Sequence, residues 1–397
     1  MDFVIHRRLI GSKKHRKSNG EWIEEFQESS FVVGHPELEK DLLTALYLSG
    51  TKIVIEPPKF HQKVFRNFTL REDIPWELAL PRNLFETWVQ DIVDKVSKAL
   101  KGSDLAYYEN IFKASCKVVS SLGRMKIHKK KWNFIMDHDI QGVNQSVIES
   151  FEPDKKGFAE PIKYNLLGTI SGRAKVVSGP EILRLNKELK TLIKSRYKGG
   201  KVVQFDYVSL EPRLALILCG HKVPEDIYSY INETVFGGEF SREVVKLSTL
   251  SVMYGAGSQS LSEKTGLPIS VCKQTIKQLK EFFDIYNITK KLSKEFQDKK
   301  IIRNHFGRAI YPEDGAGHKL YNNIIQSTAV DAAILGFFNI INALKDTDAI
   351  PVFVIHDNIG IDMPPEMLST EWIQKIKSVG GEIPGLSDKL LLDSDTI

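Results

Sequence analysis

The sequence predicts a mixed α/β chain, with many helices around a few strands able to pair antiparallel. Three observations predict it. Short β-branched runs at 201–206 (Lys-Val-Val-Gln-Phe-Asp) and 350–357 (Ile-Pro-Val-Phe-Val-Ile-His-Asp) are bounded by polar residues and read as buried strands. Long stretches repeat apolar residues every three or four positions, as amphipathic helices do. A length of 397 residues with 42% hydrophobic content is ample for more than one packed unit.

Taken in order, residues 1 to about 85 read as irregular, with scattered apolar runs and prolines at Pro57, Pro58, Pro75 and Pro81. From Phe85 the spacing predicts a helix that stops at Gly102, and a second over Tyr107 to Leu122. Residues 201–206 form a strand, and Leu210 to Leu218 a helix directly after it. Residues 225–300 read as mostly helical, including Arg242 to Tyr254 and a long stretch at 270–298. Phe306-Gly307-Arg308 marks a turn. A long helix rich in Ala and Ile runs from Asn322 to Leu344, and the strand 351–356 follows. The tail holds a helix near 365–378 and a final apolar run at 389–393. There is no internal repeat.

Composition narrows the function. No apolar stretch reaches the roughly 20 residues that span a bilayer, and the N-terminus lacks a signal-peptide layout. The expectation is a soluble protein of the cytoplasm. Cys116, Cys219 and Cys272 lie far apart without metal-ligand spacing and read as reduced thiols. Net charge is +5, with basic clusters at 13–17 and 126–131 that suit a polyanionic partner.

The chemistry concentrates in a few positions. Asp206 and Asp357 each end an apolar run, so each carboxylate would be held rigidly at a strand mouth. Side by side, they could hold two divalent cations about 3.5–4 Å apart, the arrangement of in-line phosphoryl transfer. Arg242, Lys246, Leu250 and Tyr254 recur every four residues and form one helical stripe. Two cations one turn apart suit a triphosphate, Tyr254 offers a ring for a base, and Gly255 permits close approach.

With these residues in view, the stretch 165–397 resembles DNA polymerase family A, the group related to bacterial DNA polymerase I. Asp206-Tyr-Val-Ser-Leu-Glu211-Pro-Arg213 is similar to the family's first palm motif, Asp-Tyr-Ser-Gln-Ile-Glu-Leu-Arg. Arg242-x3-Lys246-x7-Tyr254-Gly255 is similar to its nucleotide-gripping fingers helix, and Ile355-His356-Asp357 to its Val-His-Asp-Glu motif. Ser171-Gly172-Arg173, the segment 226–237, His305-Phe-Gly-Arg308 and the segment 322–331 follow the family in the same order.

The resemblance implies a right hand: an antiparallel palm sheet surrounded by helices, with the palm at 165–224 and 320–397 and the fingers at 225–319. Residues 84–164 would be thumb-like, while 1–83 have no assigned role. It implies DNA synthesis on a primer 3′-hydroxyl, with primer-template DNA, deoxynucleoside triphosphates and replication accessory proteins as partners. It also implies action as a monomer, without a membrane, in a bacterial or phage-infected cell. Asp206, Asp357 and the Tyr207 carbonyl would hold two Mg²⁺, for which Mn²⁺ could substitute. Arg242 and Lys246 would bind the triphosphate, with Lys246 a general acid toward pyrophosphate. Leu250 and Tyr254 would line the insertion site, and Glu211 would exclude a 2′-hydroxyl while its carboxylate bonds the Tyr254 hydroxyl or Arg213. Arg173, Asn322, Gln326, His356 and Gly255 would touch DNA.

The chain departs from the family at several positions, Val208 and Ser209 in place of Ser-Gln among them. Leu250 replaces the usual Phe or Tyr, Asn358 replaces the glutamate after the second aspartate, and Pro212 enters the helix after Asp206. Residues 1–165 contain no Asp-x-Glu and are shorter than the family's exonuclease, so no nuclease is expected. Two other readings compete. A single-subunit phage-type RNA polymerase shares the fingers helix and the His-Asp pair, but Glu211 and the chain length oppose it. A catalytically inactive DNA-binding relative would have no physical need for the two aspartates.

Overall fold

The computed structural model describes residues 2–27, 30–55, 75–138 and 142–397. Pro57 and Pro58 lie outside the described residues. Contacts divide the chain into two compact units, Met1–Asn110 with Gly307–Ala309, and Ile111–Phe306 with Ile310–Ile397. The division falls within the stretch 84–164.

The first unit is more regular than its sequence suggests. Its strands run in the order Trp22–Ile23, His15–Lys17, Phe3–Ile5, Phe31–Val33; the last pair is parallel and the others antiparallel. Two or three residues per strand are too few to display an alternating pattern, which is why 1–83 read as irregular. Helix Glu39–Leu48 buries Leu42, Ala45, Leu46 and Leu48. Helix Arg82–Lys101 buries Phe85, Val89, Ile92, Val93 and Val96, the apolar stripe expected of it, and is followed by Gly102.

In the second unit, β1 (Lys201–Tyr207), β2 (Ile350–Ile355), β3 (Asn358–Met363) and β4 (Leu392–Thr396) form one sheet in the order β2-β3-β1-β4, antiparallel throughout. This is the antiparallel palm sheet of the expected fold class. The helices are α1 (Leu210–Leu218), α2 (Ile227–Phe236), α3 (Arg242–Met253), α4 (Ser258–Thr265), α5 (Ile269–Phe282), α6 (Ile285–Lys299), α7 (Gly317–Ala343) and α8 (Thr370–Gly381). The stretch 270–298 is thus two helices rather than one. Asp284 takes φ 48 between them, a left-handed conformation that breaks the run. The expected helix from Tyr107 opens as a π-turn, Tyr108–Phe112, before Lys113–Ser120.

Helix α7 corrects the membrane reading. By length and composition it could cross a bilayer, but 72% of its most apolar window is buried in the fold. It is the core helix of this unit, contacting α8, α6, α1 and Lys113–Ser120. Gly336 packs it against β1. The Tyr207 hydroxyl donates to the Gly380 carbonyl at 2.6 Å, and a Cβ on Gly336 would lie 1.7 Å from that hydroxyl. Glycine at 336 therefore makes the slot through which Tyr207 reaches α8.

Candidate active site

Strand β1 is buried from Val202 to Phe205 and emerges at Asp206. Its neighbours place Asn358 of β3 opposite Asp206 on one side and Asp393 of β4 opposite it on the other. Asp357 stands in the tight connection between β2 and β3, where His356 takes φ 53. The Tyr207 amide donates to the Asp357 carbonyl at 3.1 Å. Two carboxylates remote in sequence are thereby neighbours, held by sheet register and one cross-strand bond.

Electrostatics agree with that placement. Burial, reinforced by the charge of Asp357, pushes Asp206 up to about 6. The Asn358 side chain, by hydrogen bonding, and Lys190, by its charge, oppose the shift, while Asp393 adds to it. Burial also raises Asp357, against the pull of His356 and Arg173. Two neighbouring acids that are both raised lack sufficient positive charge.

The acids open into a cleft of about 340 Å³, also lined by Arg173, Tyr207, Glu211, Tyr228, Lys246, Leu250, Tyr254, Gln326 and His356. That volume lies within the usual range of ligand sites. Glu211 accepts from the Tyr254 hydroxyl and from Arg173 Nη2, the latter at 2.8 Å. Its side chain is only 13% exposed, so these bonds offset the desolvation of its charge. Arg213 is not the partner: its guanidinium donates to the Val208, Pro224 and Glu225 carbonyls and braces the turn after β1. Ser209, in that turn, takes φ 53, and Pro212 sits in the first turn of α1, where no intrahelical amide bond is lost.

Three of the remaining positions stand off the cleft. Arg242 opens α3 and pairs with Asp226 at 2.9 Å, its guanidinium 5.3 Å above the Tyr228 ring. Asp226 also caps α2, accepting from the Tyr228 and Ser229 amides, and the hydrogen bond of Arg242, with those of Ser229, holds it at about 2. Asn322 lies half-buried on α7, one turn before Gln326. Gly255 takes φ 78, and a Cβ there would lie 2.8 Å from the His318 ring.

Sequence reading missed three neighbours of the site, and noted a fourth, Asn358, only as a departure from the family. Lys190 donates to Gln204 at 2.7 Å and its charge acts on Asp206. Asn358 and Asp393 face Asp206 only through strand register, and Tyr228 reaches the cleft from α2. No local spacing marks any of them; pairing β1 with β3 and β4 would have found the middle two.

The donor set suits a hard divalent cation. The Asn358 amide bonds Asp206, yet its Oδ1 is buried without a partner among the described residues. Among the described residues no three or more His, Cys, Asp or Glu cluster as ligands. Two carboxylates with further oxygens are, however, the sparse set with which Mg²⁺ binds beside substrate phosphates.

A model of DNA polymerase family A matches residues 167–379. A DNA polymerase of Bacillus phage SP01 is 23% identical over 261 residues, which is 54% of this chain and 28% of that protein. Among solved structures, the POL domain of Pol1 from M. smegmatis, in complex with DNA primer-template and dNTP, superposes with a TM-score of 0.53. That match has 14% identity and covers 90% of this chain and 63% of the other. The chain thus spans less than two thirds of either relative.

Proposed function

The chain belongs to DNA polymerase family A, and on that premise we propose that it adds deoxynucleotides to a primer 3′-hydroxyl under the direction of a DNA template. The observation that carries this reading is the meeting of Asp206 and Asp357 in one cleft with Lys246, Tyr254 and Glu211. In this reading 165–224 and 320–397 serve as palm, 225–319 as fingers and 84–164 as thumb. The 397 residues carry no nuclease, and the protein acts as a monomer inside a bacterial or phage-infected cell.

Asp206, Asp357 and the Tyr207 carbonyl would hold magnesium, or manganese in its place. Bound divalent cations there supply activation of the attacking hydroxyl and neutralisation of charge on the leaving pyrophosphate. The protein's own residues do the rest. Lys246 binds the triphosphate and hands a proton to the departing pyrophosphate oxygen. Arg242 joins it after leaving Asp226, a motion that belongs to closure of the fingers on a matched nucleotide. Tyr254 stacks in the insertion site, beside Leu250. Glu211, fixed by Tyr254 and Arg173, fills the space a 2′-hydroxyl would need. Arg173, Asn322, Gln326, His356 and Gly255 meet the primer-template around the nascent pair.

Primer extension on a defined template, with deoxy- and ribonucleotides in parallel, tests the reading. Wild type should extend with deoxynucleotides only. Asp357→Asn should lower extension at least a thousandfold while primer-template affinity changes less than threefold. Preferential use of ribonucleotides would replace this reading with an RNA polymerase. No extension with Mg²⁺ or Mn²⁺ would leave a binding protein.

A further inference from the structure

The first unit carries a second concentration of charge. Arg7, Arg8, Lys13 and Lys14 line a cavity of about 970 Å³ together with Trp22 and, among the described residues, a single acid, Glu77. Lys14 pairs with Glu24 at 3.3 Å. Arg7, Arg8 and Lys13 are exposed and make no ion pair among the described residues. Among the described residues, four cations against one lining acid form a site of one sign, and its size exceeds the need of a single phosphate.

The backbone beneath these cations is braced by histidines. His6 Nδ1 accepts from the Arg8 amide at 3.1 Å, and His15 Nδ1 from the Arg7 amide at 3.2 Å. His35 Nδ1 accepts from the Glu37 and Leu38 amides. The His6 ring lies 4.6 Å from that of His15 and 4.5 Å from that of His35. Such a cluster invites a metal reading, but its hydrogen bonds oppose it. An imidazole whose Nδ1 accepts a bond carries its proton on Nε2, leaving no lone pair for a metal. Burial and the neighbouring cationic groups hold His6 down at about 4, so it is neutral at physiological pH. It fixes the Arg8 amide without adding charge.

Trp22 supplies what a phosphate site alone does not require. Its half-buried indole sits at the cavity with the Arg16 guanidinium 5.2 Å from the ring centre, and Arg16 is anchored to Glu86 at 2.8 Å. Cations that follow a backbone, beside an aromatic face that takes a base, are the means by which single strands are held without sequence preference. We propose that the groove formed by Arg7, Arg8, Lys13, Lys14 and Trp22 is a second nucleic-acid site, which binds single-stranded DNA through its phosphates and one stacked base.

The full chain, photocrosslinked to a thiothymidine-substituted oligo(dT) and mapped by peptide mass spectrometry, tests this. Wild type should give crosslinks within residues 6–24, separate from any in the cleft of Asp206. The triple variant Arg7→Gln, Arg8→Gln, Lys13→Gln should lose them. It should bind oligo(dT) about tenfold more weakly, with a log–log salt slope shallower by about 2, as expected for three lost phosphate contacts. Lys13→Glu alone, an exposed change, should act in the same direction. Absence of crosslinks at 6–24, or crosslinks and salt slope unmoved by the triple variant, would overturn the site. So would equal competition by inorganic polyphosphate or by anionic phospholipid vesicles, since neither offers a base to Trp22. Primer extension should persist in the triple variant. Crosslinks without extension in wild type would sink the polymerase reading and leave this site standing.

Discussion

At the scale of the residue, the cleft works through side chains whose charge is only partly compensated. Glu211 is the exception, since Tyr254 and Arg173 both bond it. Leu250 lines the same cleft with an aliphatic surface only. It offers neither a π-face nor a hydroxyl to an incoming nucleotide. Wild type should therefore bind nucleotides weakly and discriminate strongly against dideoxynucleotides. Leu250→Tyr should reduce that discrimination at least tenfold in competitive chain-termination assays, and an unchanged termination ratio would refute this role for Leu250. Arg242 gives a second expectation. Asp226→Asn keeps an oxygen to cap α2 but removes the ion pair, which is exposed and worth about 0–1 kcal/mol. Thermal stability should barely move, while the KM for deoxynucleotides should fall severalfold as Arg242 is released. A KM that rises instead would show that Asp226 helps nucleotide binding.

At the scale of the element, the pairing of β1 with β3 and β4 builds the site, and α7 supports it from behind. The Tyr207 hydroxyl occupies the space beside Gly336, so Gly336→Ala inserts a methyl where no room exists. The cost should be about 1–3 kcal/mol, the usual price of overpacking, read as a lower midpoint in urea. Loss of extension should follow, because Tyr207 is the next residue after Asp206. An unchanged midpoint would mean that α7 and α8 part easily. The sequence revealed β1, β2, α1, α3 and α7 because each is long enough to show its own period. The pairing of Asp206 with Asp357 was legible because both end apolar runs. Asn358, Asp393 and Lys190 were hidden, since strand register and tertiary packing place them. The short sheet near His15 was hidden for another reason: its strands end before an alternation can repeat. The left-handed turns at Ser209, Asp284 and His356 use residues with no glycine-like signal.

At the scale of the whole molecule, the two units should respond differently to acid. His6 is held near 4 by burial and by His15, His35, Arg7 and Arg8, against an ordinary value of 6.5. Between those values the unfolded chain takes up a proton that the folded first unit does not. Stability contributed by neutral His6 is complete above pH 6.5 and is lost as the pH falls toward 4. Hydrogen exchange at pH 5 compared with pH 7 should show the sheet of Phe3–Ile5 and His15–Lys17 loosening. His6→Asn keeps an acceptor for the Arg8 amide and should remove part of that acid sensitivity. Equal acid sensitivity in wild type and His6→Asn would assign the effect to other groups.

The order of strands in the palm sheet has a consequence for biosynthesis. Strand β1 is flanked by β3 and β4, and both follow it in the chain, the nearer by about 150 residues. A ribosome adding about 5–20 residues per second exposes Val202, Val203 and Phe205 for roughly 8–30 s before either ladder can close. During that interval an apolar strand of the nascent protein is open on both sides, and chaperone capture there would protect the strand that later carries Asp206.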